Sequence, residues 1–307
     1  MVDSTIAKLR RTYKASLPVS ETVAPHLRQA LAHVLDNPGS MVRPEIIYRL
    51  CRAYNIAEQP AEDLALAVEY FHTASLLVDD LPCMDNATER RGKGCVHVEY
   101  GEADAILAAL AIVNRAYSLA WRAASTVPSG TQRAVLEFLE QYLGVGGLLT
   151  GQSMDIHYGS LPHTLETVER IAVGKTVSLI RLTLVLPALL GEAKDVEIGY
   201  LDQLAVSWGL SYQLVDDVKD TLHTSAQSGK TVSRDRALDR PNAAIVLGFE
   251  NAVEHWHQWM NRADQALESL ITLRPELGFL RDLRAEQGRE ALNLMRATSA
   301  EPVGEPA

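Results

Sequence analysis

The sequence predicts an all-α fold, a single-domain helical bundle. Two observations carry this. Apolar and small side chains recur at three- and four-residue steps along most of the chain, most clearly over 62–78, where Leu64, Ala67, Phe71, Ala74, Ser75 and Val78 keep that spacing. No stretch alternates apolar and polar residues for long enough to build a sheet, and no repeat of solenoid period is present. The expected organisation is an N-terminal arm (1–17), one helical domain (18–300) and a disordered tail (301–307).

Taken in order, residues 1–17 read as a polar amphipathic helix or a loose arm. A helix over 21–35 carries Val23, Leu27, Leu31 and Val34 on one face, and Asp36-Asn37-Pro38-Gly39-Ser40 is a turn by composition. Arg43-Pro44 starts the next helix, over 45–54, because proline suits a first turn. The helix over 62–78 must end or distort at Pro82, which lacks a backbone donor and restrains the residue before it. An Ala-rich helix follows over 103–124. Two more, over 129–147 and 148–157, carry glycines at 144, 146, 147 and 151 that permit a kink or close approach. Helices over 165–190 and 196–222 precede a polar stretch, 222–239, expected to be a mobile loop beside a site. Two or three amphipathic helices fill 243–296.

Composition narrows the function. The chain is 47% hydrophobic and 22% charged, as folded globular domains are. A net charge of -10 argues against a nucleic-acid partner, which needs a basic face. The three cysteines show no metal-ligand spacing, and their odd number suits a reducing cytosol. Cys83 has no basic residue in the four positions before it, so it reads as inert rather than nucleophilic. The N-terminus has no apolar core of a signal peptide, and the most apolar run, 179–190, contains Arg181 and Pro187 and is too short to span a bilayer. A cytoplasmic protein with no transmembrane segment is expected.

Two acidic clusters carry the chemistry. Asp79-Asp80-Leu81-Pro82-Cys83-Met84-Asp85 stands directly behind the apolar helix and is followed by Arg90-Arg91-Gly92-Lys93. Carboxylates at such a helix end need a cation, a basic partner or exposure at a cavity mouth. Asp216-Asp217-Val218-Lys219-Asp220 is the second cluster. Asp216 and Asp220, four apart, share a helix face with Gln213, and their charges repel unless something relieves them. Either cluster alone is compatible with a solvated acidic turn. Together they indicate magnesium, which takes oxygen ligands and bridges a few carboxylates to substrate phosphates. Arg43, Arg90, Arg91, Lys175 and Lys230 are candidates for diphosphate oxygens. Gly174-Lys175-Thr176 and Gly229-Lys230-Thr231 do not end nucleotide-binding P-loops, because Glu169 and Thr224 occupy the positions that need glycine.

These segments resemble the trans-prenyl diphosphate synthase (polyprenyl synthetase) family from about residue 38 to 248. The first cluster with its basic tail resembles the family's first aspartate-rich motif. Gly151-Gln152 with Asp155, Lys175-Thr176, Gln213 with 216–220, and Gly229-Lys230 resemble its later segments. The resemblance implies an all-α isoprenoid-synthase fold, a homodimer, and a division of labour. Asp79, Asp80, Asp85 and Asp216 would hold magnesium against an allylic prenyl diphosphate, with Asp217 and Asp220 in support. Arg90, Lys175 and Lys230 would add positive charge to that leaving group, and Gln152, Thr176 and Gln213 would line the site. Arg43, His72 and Arg91 would bind isopentenyl diphosphate. His72 lies two helical turns before Asp79 and faces the same way.

The chain departs from the family pattern mainly on the isopentenyl side. A Gly-Gly-Lys-Arg-x-Arg-Pro pattern is Pro38-Gly39-Ser40-Met41-Val42-Arg43-Pro44 here, which removes two cations. The expected function is chain elongation by isopentenyl diphosphate. The alternatives are a family-derived terpene synthase, which would cyclise or hydrolyse a prenyl diphosphate without isopentenyl diphosphate, and a partner subunit of a heteromeric synthase. In the family, the residues four and five before the first aspartate floor the substrate tunnel. They are the small Ser75 and Ala74 here, with Phe71 a turn deeper, which implies a C20 product.

Overall fold

The computed structural model describes residues 2–222 and 240–299. Lys230, most of the polar stretch and the tail expected to be disordered lie outside the described residues. Within them the helical expectation holds. The helices are α1 (Val2–Ser16), α2 (Pro25–Leu35), α3 (Val42–Ala53), α4 (Glu58–Asp79), α5 (Val96–Tyr100), α6 (Glu102–Ala124), α7 (Ser129–Leu143), α8 (Leu148–Ile156), α9 (Leu165–Ala172), α10 (Ser178–Leu190), α11 (Asp195–Leu222), α12 (Ala243–Leu247), α13 (Phe249–Leu273) and α14 (Leu280–Ser299). The exception is a two-residue ladder, β1 (Glu89–Arg90) with β2 (Lys93–Gly94), antiparallel in register Glu89↔Gly94. It is too short to leave an alternating pattern.

The helices gather into two compact units. One comprises residues 2–145 and 181–194, the other 146–180, 195–222 and 240–299. In the first, α4 is the centre. It packs against both α3 and α6 and buries Leu64, Ala65, Ala67, Val68, Phe71 and Ala74. A helix covered on several sides loses its polar stripe, which is why residues between the expected apolar positions are apolar too. Each fully buried leucine here contributes roughly 1.5–3 kcal/mol.

α1 is not a loose arm. Leu9 and Tyr13 are fully buried. The Tyr13 hydroxyl lies 3.0 Å from Thr73 Oγ1, and the Tyr70 hydroxyl donates to the Tyr13 carbonyl at 2.5 Å. The amphipathic pattern was visible in the sequence; its docking partner, a turn of α4 some 60 residues on, was not.

In the second unit, α11 packs along α13. α9 continues through a π-helical turn, Val173–Val177, into α10, most of whose residues are counted in the first unit. This corrects the expectation that the apolar run is too short to span a bilayer. Helix continues over Leu165–Leu190, 26 residues, long and apolar enough to cross one by length and composition. Its most apolar stretch is 61% buried within the protein, which accounts for its apolarity without a membrane. Glu102–Ala124 also passes on length and composition, with 39% of that stretch buried.

Candidate active site

In the first unit, α4 ends where expected. The Asp80 amide closes the last helical bond on the Leu76 carbonyl, and Pro82 follows. The chain then folds back on itself. Asp85 N donates to the Asp79 carbonyl at 2.9 Å and Ala87 N to the Asp80 carbonyl at 3.1 Å. This return brings Asp85 beside Asp79. Asp79 and Asp85 are half-exposed, whereas Asp80 is 4% exposed. Asp80 takes the basic partner: Arg90 Nε donates to its two oxygens at 2.9 and 3.1 Å, and Nη2 adds a further bond. Such bidentate charge-assisted pairs are strong and directional. Arg90 is thus held on Asp80.

The short hairpin that places Arg90 also turns Arg91 outward. Arg91 and Gly92 form its two-residue loop with φ of 54° and 74°. Positive φ at both positions matches the twist of flanking strands, and an arginine tolerates it at a modest cost. Arg91 Nη1 donates to the Asn37 carbonyl at 3.2 Å, and its guanidinium lies so close over Gly39 that a Cβ there would sit 2.4 Å from Cζ. Gly39 has φ 70°, the left-handed conformation that favours glycine. Met41, one of the two departures, is 1% exposed with φ 65° and precedes α3, on which Arg43 sits in the first turn.

Arg43, Arg91 and His72 do share one neighbourhood. His72 is half-exposed, but its Nδ1 is buried and has no hydrogen-bond partner. Burial, then the charges of Arg43, Arg91 and Arg90, hold its pKa well below the usual value, so the ring is neutral. Glu69, one turn earlier on α4, was missed by sequence reading, although its three-residue spacing from His72 puts it on the same face. Burial pushes its carboxyl up to about 7, against the opposing pull of Arg43 and Arg91.

On the chain-length face, Phe71 and Ala74 are buried and Ser75 is half-buried, its hydroxyl turned back to the His72 carbonyl at 2.9 Å. Phe71 meets Tyr117 of α6 edge-on, ring centroids 4.9 Å apart. Tyr117 was not legible as part of this wall.

In the second unit, a glycine crossing sets the geometry. A Cβ on Gly151 would lie 2.4 Å from Lys175 N, and one on Gly174 would lie 2.7 Å from Gly151 Cα. Backbone on both sides leaves no room for a side chain. The crossing sets Lys175 beside Asp155: Lys175 Nζ donates to Asp155 Oδ2 at 2.9 Å, and Arg240 Nη1 approaches the same oxygen at 3.3 Å. Gln152, next to Gly151, is half-buried on α8. Arg240 was also missed. It follows the polar stretch directly, and no periodic pattern marks it.

The second cluster divides as the first does. Asp217 is 2% exposed and its carboxylate is taken up by the protein. Thr176 Oγ1 donates to Gln213 Oε1 at 2.7 Å, Gln213 Nε2 to Asp217 Oδ1 at 2.8 Å, and Ala243 N to Asp217 Oδ2 at 2.7 Å. Asn242 caps α12, accepting from Ile245 N at 3.0 Å, and donates to the Asp217 carbonyl at 3.2 Å. Asp217 therefore ties α12 to α11. Asp216 is exposed and Asp220 half-exposed. Asp216 lines a cleft with Tyr212, Val215 and Lys219 of α11 and Trp256 and Met260 of α13.

Among the described residues no three His, Cys, Asp or Glu side chains form a ready metal-binding group. The donor chemistry nevertheless fits magnesium. Asp79 with Asp85, and Asp216 with Asp220, offer only hard oxygen ligands in small sets, and magnesium completes its shell with water and phosphate oxygens.

Comparison with known proteins identifies the family. The polyprenyl synthetase family model matches residues 24–272. A chloroplastic geranylgeranyl pyrophosphate synthase of Capsicum annuum is 38% identical over 247 residues, covering 80% of this chain and 67% of that protein. The large subunit 2 of a heterodimeric geranylgeranyl pyrophosphate synthase from Arabidopsis thaliana is 34% identical, covering 85% and 69%. Among solved structures, a geranyltransferase of Helicobacter pylori complexed with magnesium and isoprenyl diphosphate superposes with a TM-score of 0.78 at 26% identity, over 97% of this chain and 95% of that one. The helical architecture is thus that of a known group, and the chain belongs to the polyprenyl synthetase family.

Proposed function

We propose that this protein is a magnesium-dependent prenyltransferase that joins an allylic prenyl diphosphate to isopentenyl diphosphate and releases a short-chain prenyl diphosphate, of C20. The observation that carries elongation over the alternatives is the charge of the first unit. Arg43, Arg91 and a neutral His72 with an orphaned, buried Nδ1 surround one place, and the carboxylate within their reach, Glu69, is itself buried and half-neutralised near pH 7. Cations gathered with so little compensation favour a diphosphate, even with Ser40 and Met41 in the preceding loop.

Magnesium would be held by Asp79 with Asp85 in the first unit and by Asp216 with Asp220 in the second, and would supply charge neutralisation for a departing diphosphate. The chain's own residues do the rest. Arg43, Arg91 and His72 bind and orient isopentenyl diphosphate. Asp80 holds Arg90, and Asp155 holds Lys175, so that both cations are fixed before substrate arrives. The buried face of α4 at Phe71 and Ala74 keeps water from the allylic carbocation. The allylic C–O bond breaks with its electrons going to diphosphate. The isopentenyl double bond supplies the pair for the new C–C bond, and a proton then leaves the adjacent carbon for the diphosphate. Lys230 belongs to the same reading through the resemblance alone.

We propose a homodimer as well. α6 exposes Ile106, Leu107, Leu110, Tyr117 and Trp121, between 43% and 60% accessible, and 106, 110, 117 and 121 recur on one helix face. Leu110→Glu is expected to shift light-scattering mass to the monomer. None of the three cysteines is in a disulfide, which suits a reducing compartment, and we propose the cytoplasm. The test of function is incubation with magnesium and farnesyl diphosphate, with and without isopentenyl diphosphate. A C20 diphosphate formed only with both is the expected result. A hydrocarbon or alcohol from farnesyl diphosphate alone would replace this reading with the terpene-synthase one. Ala74→Phe is expected to shorten the product.

A further inference from the structure

We propose that Arg10, carried by the N-terminal helix, is a diphosphate-binding residue of the isopentenyl half-site, so that α1 is part of the substrate pocket. The inference rests on the elongation reading above and adds to it an element that the sequence presents only as a polar arm.

Three observations lead here. First, α1 is held at this place. Tyr13, fully buried, reaches Thr73 Oγ1, and Tyr70 reaches back to the Tyr13 carbonyl. Residues 70 and 73 flank His72 on α4. Tyr13 also feels the charges of Glu69 and Arg91, which places this part of α1 beside that cluster. Second, Arg10 lies one helical turn before Tyr13 and donates from Nη2 to the Gly39 carbonyl at 3.1 Å. Arg91 packs over the same glycine and donates to the carbonyl of Asn37. Two guanidinium groups therefore meet on one three-residue turn, with Arg43 four residues further along the chain. Third, apart from Glu69, which burial pushes towards its neutral form, nearby acids are engaged elsewhere. Asp36, at the start of the turn, is paired with Lys14, and Glu58 and Glu62 are paired with Lys8. Two guanidinium groups on one short turn repel unless an anion offsets them, and arginine's planar fork keeps donors to spare after one bond to a carbonyl.

The geometry also explains how the Asn37–Met41 turn works without a cation of its own. Ser40 is exposed beside Gly39, and Met41 is buried. The positive charge reaches the turn from outside, from Arg91 and from Arg10.

The test uses the full chain and three variants, Arg10→Ala, Arg10→Lys and Arg10→Ala with Ser40→Lys, each checked for an unchanged melting temperature. Loss of one charge-assisted contact is expected to raise the KM for isopentenyl diphosphate roughly ten-fold or more, with the KM for the allylic diphosphate within about two-fold. Arg10→Lys should fall between, and Ser40→Lys should recover much of the loss by restoring a cation on the same turn. The proposal is overturned if Arg10→Ala folds normally and leaves the isopentenyl KM unchanged, or if both KM values rise together. Calorimetric titration with inorganic pyrophosphate is read alongside. If the wild-type chain makes no longer diphosphate, the elongation reading fails, yet weaker pyrophosphate binding by Arg10→Ala still supports the anion site. Equal binding by both proteins sinks it.

Discussion

At the end of α4 the second aspartate of the pair, Asp80, turns inward to Arg90. Well along α11 the second aspartate, Asp217, also turns inward, to Gln213 and the Ala243 amide. In both pairs the first aspartate stays outward, Asp79 half-exposed and Asp216 exposed. Neighbouring residues on a helix point about 100° apart, so an adjacent pair at the core boundary is divided in this way. The two regions differ in how the inner acid is satisfied. Asp80 finds an arginine ten residues on, through a local hairpin. The Asp217 carboxylate accepts from the Gln213 side chain four residues back and from the Ala243 amide 26 residues on, both neutral groups, the second on another helix. The first arrangement leaves a cation at the site; the second ties two helices together. Alike in sequence, the clusters thus combine an outward chemical role with two different structural ones.

The sharpest way to break this comparison is to remove the outer acids. Asp79→Asn and Asp216→Asn are each expected to lower turnover roughly 100-fold or more while leaving the melting temperature near wild type, because they act on charge that develops in the reaction. Chelation of magnesium should have the same effect on the wild type. Equal loss of activity with a large loss of stability would mean that the outer acids are structural after all.

The inner acids should behave in the opposite way. Asp217→Ala strands the Ala243 amide and the Gln213 side chain, a cost of about 1–3 kcal/mol per unsatisfied group, read as a lower urea midpoint. Gly151→Ala should cost about 1–3 kcal/mol as well, since a Cβ would meet backbone of Gly174 and Lys175. It should also lower activity by shifting Lys175 from Asp155.

A pH series sharpens the picture of the first unit. Glu69 has a folded pKa of about 7 against 4.5 when unfolded, so the native state binds the extra proton between those values. Its contribution to stability is therefore fully present below about pH 4.5 and is lost as pH rises through 7. Glu69→Gln should match the wild type near pH 5 and exceed it by on the order of 3 kcal/mol at pH 8. His72 has the opposite sign. Its folded pKa is depressed, so the unfolded chain takes up the proton first and stability falls as pH drops below the usual histidine range. His72→Asn should flatten the acid side of the urea-midpoint profile. A wild-type profile unaffected by either substitution would remove the charge argument for this pocket.

Much of the fold was legible because helical periodicity is local. The apolar spacing over 62–78 needs no knowledge of what covers it, and the structure extends it only to Glu58–Asp79. Motif residues were legible for the same reason, since Asp79 to Asp85 and Asp216 to Asp220 stand close together in the chain. Glu69 was within reach from its spacing to His72. Arg240 and Tyr117 were not, because a lone arginine after a polar stretch and a tyrosine on an Ala-rich helix have no local signature of a partner. Similarly, the helix over Leu165–Leu190 was legible, but the π turn at Val173–Val177 that carries it through Gly174 was not.

By itself, then, the sequence determined the helices, the two acidic clusters that follow apolar stretches, and the family to which they point. These follow from spacing along one chain segment and from the cost of unpaired carboxylates. Only the tertiary structure decided which acid of each pair is spent on folding, that Gly151 and Gly174 must cross for Lys175 to reach Asp155, and that α1 brings Arg10 to the turn beside Arg91. Those outcomes depend on groups tens of residues apart meeting at hydrogen-bond distance, and no periodicity within a segment records such a meeting.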